Sequence, residues 1–179
     1  TPTVTINYTY DNQLRKTNEI KNIGGNNYVT SFSYDALNRI INKTLPTGEV
    51  IVFNYSEQGR INNIGGILTN VQYNEKDLPI QRSYANSLIT TSDFNTTNFR
   101  PVRIQTGGIQ NMGYVFDSVG NLVQLNDSIT NSVSVMNYDD LYRLTNVTNN
   151  NNSYQYSYDT FGDMIGSVFN GNLTTFVYS

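Results

Sequence analysis

The chain has no cysteine, no histidine and no tryptophan, and only four prolines in 179 residues. Without cysteine there is neither a disulfide framework nor a thiolate nucleophile. Without histidine, Ser-His-Asp and Cys-His catalysis and imidazole zinc sites are excluded. Charge is scarce as well: Asp, Glu, Lys and Arg make up 14% of the chain, against about a quarter in an average soluble protein. The net charge is −3 and the basic residues do not cluster, which disfavours nucleic-acid binding, since phosphate contacts need dense Lys and Arg. No run approaches the ~18 apolar residues that span a bilayer, so membrane insertion is not expected. No glycine-rich segment lies between a strand pattern and a helix pattern, as a phosphate loop requires. The chain opens on Thr1, with no initiator Met and no signal-peptide pattern, and reads as a mature product or a fragment. The sequence therefore reads as non-enzymatic and without a cofactor.

Asn, Thr and Ser take the place of charge. Sequons such as those at Asn7, Asn42 and Asn146 are close to what chance gives in so amide-rich a chain. The informative feature is repetition. The stretch Phe116-Asp117-Ser118-Val119-Gly120-Asn121-Leu122 returns, with drift, at Tyr10, Tyr34, Tyr55, Tyr73, Phe94, Tyr138 and Tyr158. The steps are 24, 21, 18, 21, 22, 22 and 20 residues. In every copy an aromatic is followed by a short polar residue: Asp11, Asp35, Ser56, Asn74, Asn95, Asp117, Asp139 and Asp159. Such side chains bond the backbone two residues on and open a turn. Three residues later comes a residue tolerant of positive φ: Asn38, Gly59, Asp77, Asn98, Gly120 or Gly162. That pattern predicts a four- or five-residue hairpin loop closed by a left-handed residue. Leu14 and Tyr142 depart from it, so the first and seventh turns are expected to be irregular. The turn-opening Asp is expected to hold its loop, and to matter equally at Asp117 and Asp159.

Midway between these turns lies a second set, from Gly24-Gly25 and Gly65-Gly66 to Asn170-Gly171, a strong hairpin signal. The chain then zigzags as strand, Tyr-Asp turn, strand, distal turn, giving nine inbound and eight outbound strands. Nothing reads as a helix. The i, i+3 pairs Leu122/Leu125 and Leu144/Val147 point instead to a bulge or to a residue shared between faces. Seventeen strands at ~4.8 Å would span about 80 Å if flat, and sheets of that size curl, split or close.

The repeat resembles the RHS/YD repeat (Tyr-Asp-x-x-Gly-Arg/Asn-Leu) of bacterial Rhs proteins, the Tc toxin cocoon and teneurins. Tyr34 to Ile40, Phe116 to Leu122 and Tyr138 to Leu144 carry the resemblance best, and Tyr73 to Pro79 and Phe94 to Arg100 are degenerate. It implies a single all-β repeat domain over 1–179, an antiparallel hairpin meander curled into an open shell, half-tube or spiral. The domain holds about eight repeats and ends at the start of a ninth. No Asp-Pro-x-Gly-like signature of a self-cleaving core domain is present.

Tyr8/Tyr10, Phe32/Tyr34, Phe53/Tyr55, Tyr114/Phe116 and Tyr156/Tyr158 each share a face, and Tyr138 takes the same place in its repeat. These rings are expected to form a structural ladder across hairpins, with sugar stacking as a second role. Asp11, Asp35, Asp117, Asp139 and Asp159 are explained by their turns. Calcium on Asp117, Asn121 and Asp127 matches no known spacing. The functional expectation is a wall, shell or self-assembling fibre of the cell surface or extracellular space. The alternatives are a glycan-binding adhesin-like module and a fragment of an Rhs/Tc-type toxin-encapsulating cage. Partners are expected to be copies of the chain or adjoining repeats, meeting through terminal strands 1–10 and 173–179, with glycans as a second class. The edges are thinly protected: Pro2 lies near one end, and the last strand has no charge.

Overall fold

The computed structural model describes residues 3–177. Thr1, Pro2, Tyr178 and Ser179 lie outside the described residues, and with them the expected role of Pro2 and the last aromatic of the ninth inbound strand. The described residues form seventeen β-strands and no helix. The fold is an all-β antiparallel hairpin meander.

The chain divides into two compact units, 1–89 and 90–179. The first contains β1 (Val4–Tyr10), β2 (Lys16–Ile23), β3 (Asn26–Tyr34), β4 (Ile40–Thr44), β5 (Val50–Tyr55), β6 (Ile61–Ile64), β7 (Leu68–Tyr73) and β8 (Pro79–Tyr84). Each strand pairs antiparallel with the next. The second contains β9 (Ile89–Phe94), β10 (Pro101–Thr106), β11 (Gln110–Phe116), β12 (Leu122–Asp127), β13 (Ser132–Tyr138), β14 (Leu144–Asn149), β15 (Asn152–Tyr158), β16 (Met164–Phe169) and β17 (Asn172–Thr175). Here too sequence neighbours are sheet neighbours. The last strand is Asn172–Thr175, where one over 173–179 was expected; after it the Phe176 N–H still donates to the Ile165 carbonyl, and residues 178 and 179 lie outside the described residues.

Every Tyr-Asp hairpin has a bulge at one place. Ser33 faces Asn42 but Tyr34 faces Ile40, so Ile41 is the extra residue on the outbound strand. The same slip occurs at Tyr10, Tyr55, Tyr73, Phe116, Tyr138 and Tyr158, and opposite Phe94. It explains the three-residue steps in a chain without helices. Leu122 faces Phe116 and Leu125 faces Tyr114, which puts both leucines on the aromatic face. Leu144 and Val147 do the same opposite Tyr138 and Met136.

The two faces of each unit differ. In β5, Ile51, Phe53 and Tyr55 are half-buried while Val50, Val52 and Asn54 are exposed. In β13, Met136 and Tyr138 are half-buried and Val133, Val135 and Asn137 are exposed. The second face is built largely from amides and hydroxyls that bond across strands. Asn18 donates to Thr9 and accepts from Ser31, Asn42 donates to Ser33, and Asn54 donates to Asn63. Burial is shallow. Among the described residues Val71 is the buried apolar side chain, and no large side chain is fully enclosed.

Candidate functional site: the row of Tyr-Asp turns

Most of the sequence-singled residues gather at one end of the hairpins. The turn at Asp35 shows the design. Its N–H donates to the Arg39 carbonyl (2.9 Å) and the Asn38 N–H donates to the Asp35 carbonyl (3.1 Å). One carboxylate oxygen accepts the N–H groups of Leu37 and Arg39, both at 2.9 Å, and the other accepts Arg39 Nε at 2.7 Å. Asp11 and Asp139 repeat this set with Gln13 and Arg15, and with Leu141 and Arg143. In all three, the hydrogen bond from the arginine backbone is the largest influence; burial, next in size, opposes it, the arginine side-chain bond supports it, and the carboxyl is held below its ordinary value.

Asp117 and Asp159 are not equivalent, contrary to the expectation of equal roles. Asp117 accepts the N–H groups of Val119, Gly120 and Asn121 and the Asn121 side chain. Burial pushes its carboxyl up, but these bonds together hold it below its ordinary value. The Asp159 carboxylate accepts the N–H groups of Phe161 and Asp163 and no side chain.

Leu14 and Tyr142 correct a second expectation. Their turns are regular: Leu14 N–H bonds the Asp11 carbonyl and Tyr142 N–H bonds the Asp139 carbonyl, as elsewhere. Both residues take φ +61°, matching Asn38 at +64° and Asp77 at +62°. The Asp-Arg bonding of these two turns sustains a backbone shape that costs an L side chain about 1–2 kcal/mol. In the sixth turn the Gly120 N–H bonds the Asp117 carboxylate instead of its carbonyl, and the fifth turn departs further. Asn95 N–H reaches the Arg100 carbonyl rather than that of residue 99, so the loop is one residue longer and the left-handed residue is Phe99, not Asn98.

The arginines are what residue-by-residue reading missed. Five of the seven arginines follow the repeat aromatic by five or six positions: Arg15, Arg39, Arg60, Arg100 and Arg143. That spacing was the available signal. Each lies over the aromatic ring of the next repeat, with Cζ 4.9 Å from the Tyr34 ring centre, 4.4 Å from Tyr55, 5.1 Å from Tyr73, 5.6 Å from Phe116 and 4.7 Å from Tyr158. At this range a guanidinium is attracted to the ring face. Arg15, Arg100 and Arg143 also donate to the carbonyls of Asp35, Asp117 and Asp159. The approach is close enough that a Cβ on Gly120, itself at φ +110°, would overlap the Arg100 guanidinium.

The ring replies through its hydroxyl. Tyr34, Tyr55, Tyr73, Tyr138 and Tyr158 donate to the carbonyls of Lys16, Ile40, Ile61, Leu122 and Leu144, at 2.8–2.9 Å. Each acceptor opens the outbound strand of the preceding repeat. Burial, then the Asp117 charge, pushes the Tyr138 hydroxyl above its ordinary value. Arginine and tyrosine thus form a two-way clamp between successive hairpins. Tyr114 and Tyr156 sit half-buried one pair inward, opposite Leu125 and Ser167. Tyr8 and Tyr10 are exposed, at 47% and 57%.

One clamp is incomplete. Where five of the repeats have Asp and two have Asn, the third has Ser56. Arg60 bonds Asp77 through Nη1 at 2.8 Å, but its Nε is buried without an acceptor. The neighbouring hollow, about 210 Å³, is lined by Ser56, Arg60, Ile61, Val71 and Tyr73 among others. The three candidate calcium ligands are not brought together. Asp127 stands at the far end of β12 from Asp117 and Asn121 and caps the distal turn through the Ile129 N–H and the Thr130 hydroxyl.

No family model matches the chain, and no curated protein matches it in sequence. Solved structures match it in fold. A chain of the crystal structure of TcdB2-TccC3-Cdc42 superposes with a TM-score of 0.79 at 15% identity, over 93% of this chain and 12% of that one. TcdB2-TccC3 without its hypervariable C-terminal region gives 0.78 at 15% identity, over 93% and 11%. The Tc holotoxin pore of Photorhabdus luminescens gives 0.75 at 18% identity, over 86% and 10%. The repeat fold is shared with these toxin chains. This chain spans about a tenth of their length.

Proposed function

We propose that this chain is a stretch of wall from an Rhs/Tc-type shell that encloses a toxin, and that it carries no catalysis of its own. The supporting observation is the clamp. In most repeats the aromatic is occupied in joining one hairpin to the next, through ring, hydroxyl, guanidinium and backbone carbonyl, and the Asp of Asp-Arg turns such as that at Asp35 holds its own turn and its arginine. The fold likeness to TcdB2-TccC3 chains agrees with that use. So does shallow burial, since a wall gains its cohesion along the sheet rather than from a central core. Under this proposal the chain belongs to the RHS/YD family and works outside the cell or at its surface.

The glycan-binding alternative needs open ring faces. Five rings are covered by arginine and five hydroxyls are in use, which favours the wall. Electron microscopy of the native protein purified from its source tests the proposal. The expected particle is hollow and shields an enclosed polypeptide from added protease. Solid fibres, or a monomer that binds glycans tightly through its tyrosines, would overturn it.

A further inference from the structure

The joint between the sixth and seventh hairpins differs from the others. In the hairpins of Tyr10, Tyr34, Tyr55, Phe94 and Tyr138 an arginine follows the aromatic by five or six positions, and its guanidinium covers the next ring. After Phe116 that place is taken by Asn121. Its amide does one half of the arginine's work: Nδ2 donates to Asp117 Oδ2 at 2.9 Å, as Arg39 Nε does to Asp35 at 2.7 Å. It is too short for the other half. In the next joint Arg143 goes on to reach the Asp159 carbonyl and the Tyr158 ring. Beyond Asn121 lies a hollow of about 330 Å³, with Asp117, Asn121, Tyr138, Asp139, Asp140 and Tyr142 among its lining residues.

The other joint without an arginine has lost its charge altogether. After Tyr73 the place is taken by Leu78, the turn-opening residues on either side are Asn74 and Asn95, and the next aromatic is Phe94. Between Phe116 and Tyr138 the acids are kept. The Asp117 carboxylate is bonded by backbone N–H groups and an amide, none of which carries charge. Asp139 is paired with Arg143 at 2.7 Å, and Asp140 adds a further negative charge to the lining. Arg100 is committed to the preceding joint, over Phe116. Burial and then the Asp117 charge push the Tyr138 hydroxyl above its ordinary value, so the field of that carboxylate reaches the ring.

We infer that this hollow is a binding site for a guanidinium cation. The molecule itself identifies the ligand, because a ring and the carbonyl of the following Asp hold a guanidinium at Tyr34 and at Tyr158. The same two groups, Tyr138 and the Asp139 carbonyl, stand at this joint. A planar cation can lie against the ring face and donate to the carbonyl, with Asp117 and Asp140 supplying the opposite charge. Urea has the same planar shape without the charge. A compact ammonium has the charge without the planar fork of donors. The order of binding is therefore guanidinium, then ammonium, then urea. The site belongs to one joint and does not depend on the wall reading.

The probe is methylguanidinium chloride, titrated at constant ionic strength into the full chain carrying isotope-labelled tyrosine and followed by NMR. The Tyr138 ring signal, assigned with Tyr138→Phe, should shift saturably at millimolar concentration. The signals of Tyr34, Tyr55 and Tyr158, whose rings an arginine already covers, should stay nearly still. Methylammonium should bind more weakly, and urea should leave Tyr138 unmoved. Asp140→Asn should weaken binding about twofold to fivefold, the range of an exposed ion pair. Asn121→Arg should abolish it, because the chain then supplies the guanidinium itself. Circular dichroism establishes that each variant is folded, and the titration of the parent chain decides the matter even where a variant fails to fold. An acetylated Gly-Arg-Gly amide separates two sources of the cation. Binding as tight as that of methylguanidinium admits an arginine side chain, whereas binding of methylguanidinium alone restricts the site to small cations. No saturable shift at Tyr138, equal shifts at the arginine-covered rings, urea as effective as the cation, or binding undiminished by Asn121→Arg overturns the inference.

Discussion

Ser56→Asp should stabilise the protein. At Asp35 the carboxylate gathers two backbone N–H groups and the arginine Nε. At Ser56 the only counterpart is a long contact of 3.4 Å from the Arg60 N–H, and Arg60 Nε is buried with no partner. An aspartate in the geometry of the other turns supplies the missing acceptor. A hydrogen bond to a charged group contributes ~1.5–3 kcal/mol, and leaving a buried donor unpaired costs ~1–3 kcal/mol. Ion pairs near solvent keep only a fraction of such values, so the net gain is about 1–2 kcal/mol. For a chain of this size that is a rise in melting temperature of roughly 2–8 °C. Thermal and urea unfolding of the full chain measure it. The gain should shrink when Arg60→Met is added, because the coupling resides in the Arg60 guanidinium. It should also have a defined pH dependence. The new carboxyl is held below its unfolded value of about 3.9, so the stabilisation is complete above that pH and is lost as pH falls through the folded value. A Ser56→Asp protein no more stable than the parent, or equally stabilised with and without Arg60, would refute the clamp as the source of the energy.

Four further outcomes are expected. Leu14→Gly and Tyr142→Gly should each raise stability by about 0.5–1 kcal/mol in urea unfolding, since relief of a left-handed L residue exceeds the added entropy of glycine. Tyr55→Phe should cost about 1 kcal/mol by removing the bond to the Ile40 carbonyl, while Tyr8→Phe should be near neutral by the same measurement. Asp117→Ala should lower the melting temperature more than Asp159→Ala, because four bonds are lost against two. In an acid titration followed by circular dichroism, stability should hold down to about pH 4 and then fall, because Asp11, Asp35, Asp117 and Asp139 all have lowered folded pKa values.

The strand count was legible because two turn types alternate, and short polar residues and glycine mark turns through backbone chemistry that acts within a few residues. The bulge was legible in part, as a three-residue step that no helix could explain. The left-handed Leu14 and Tyr142 were not, because their local preference opposes the shape that the Asp-Arg bonds impose. The longer fifth loop was hidden because Asn98 stands where a left-handed residue usually falls, while the bonding selects Phe99. The clamp was hidden for a different reason. Arg39 and Tyr55 are sixteen residues apart, and no periodicity within one hairpin shows that the guanidinium of one repeat rests on the ring of the next. The unfilled acceptor position at Ser56 looks in the sequence like one more turn-opening polar residue, since Ser, Asn and Asp are interchangeable for the turn but not for the arginine.

Among the described residues, four joints between successive hairpins use the same arginine, ring, hydroxyl and carbonyl: those at Tyr34, Tyr55, Tyr73 and Tyr158. Excising Tyr34 to Asn54 would join Ser33 to Tyr55 with the aromatic still in phase, Arg15 still available and the Lys16 carbonyl still exposed to a tyrosine. Duplicating the segment would leave the joints equally matched. Such a gene can gain or lose one repeat through misaligned recombination between its own copies, with no compensating point mutation. The length of the wall is then free to change over evolutionary time while its chemistry stays fixed.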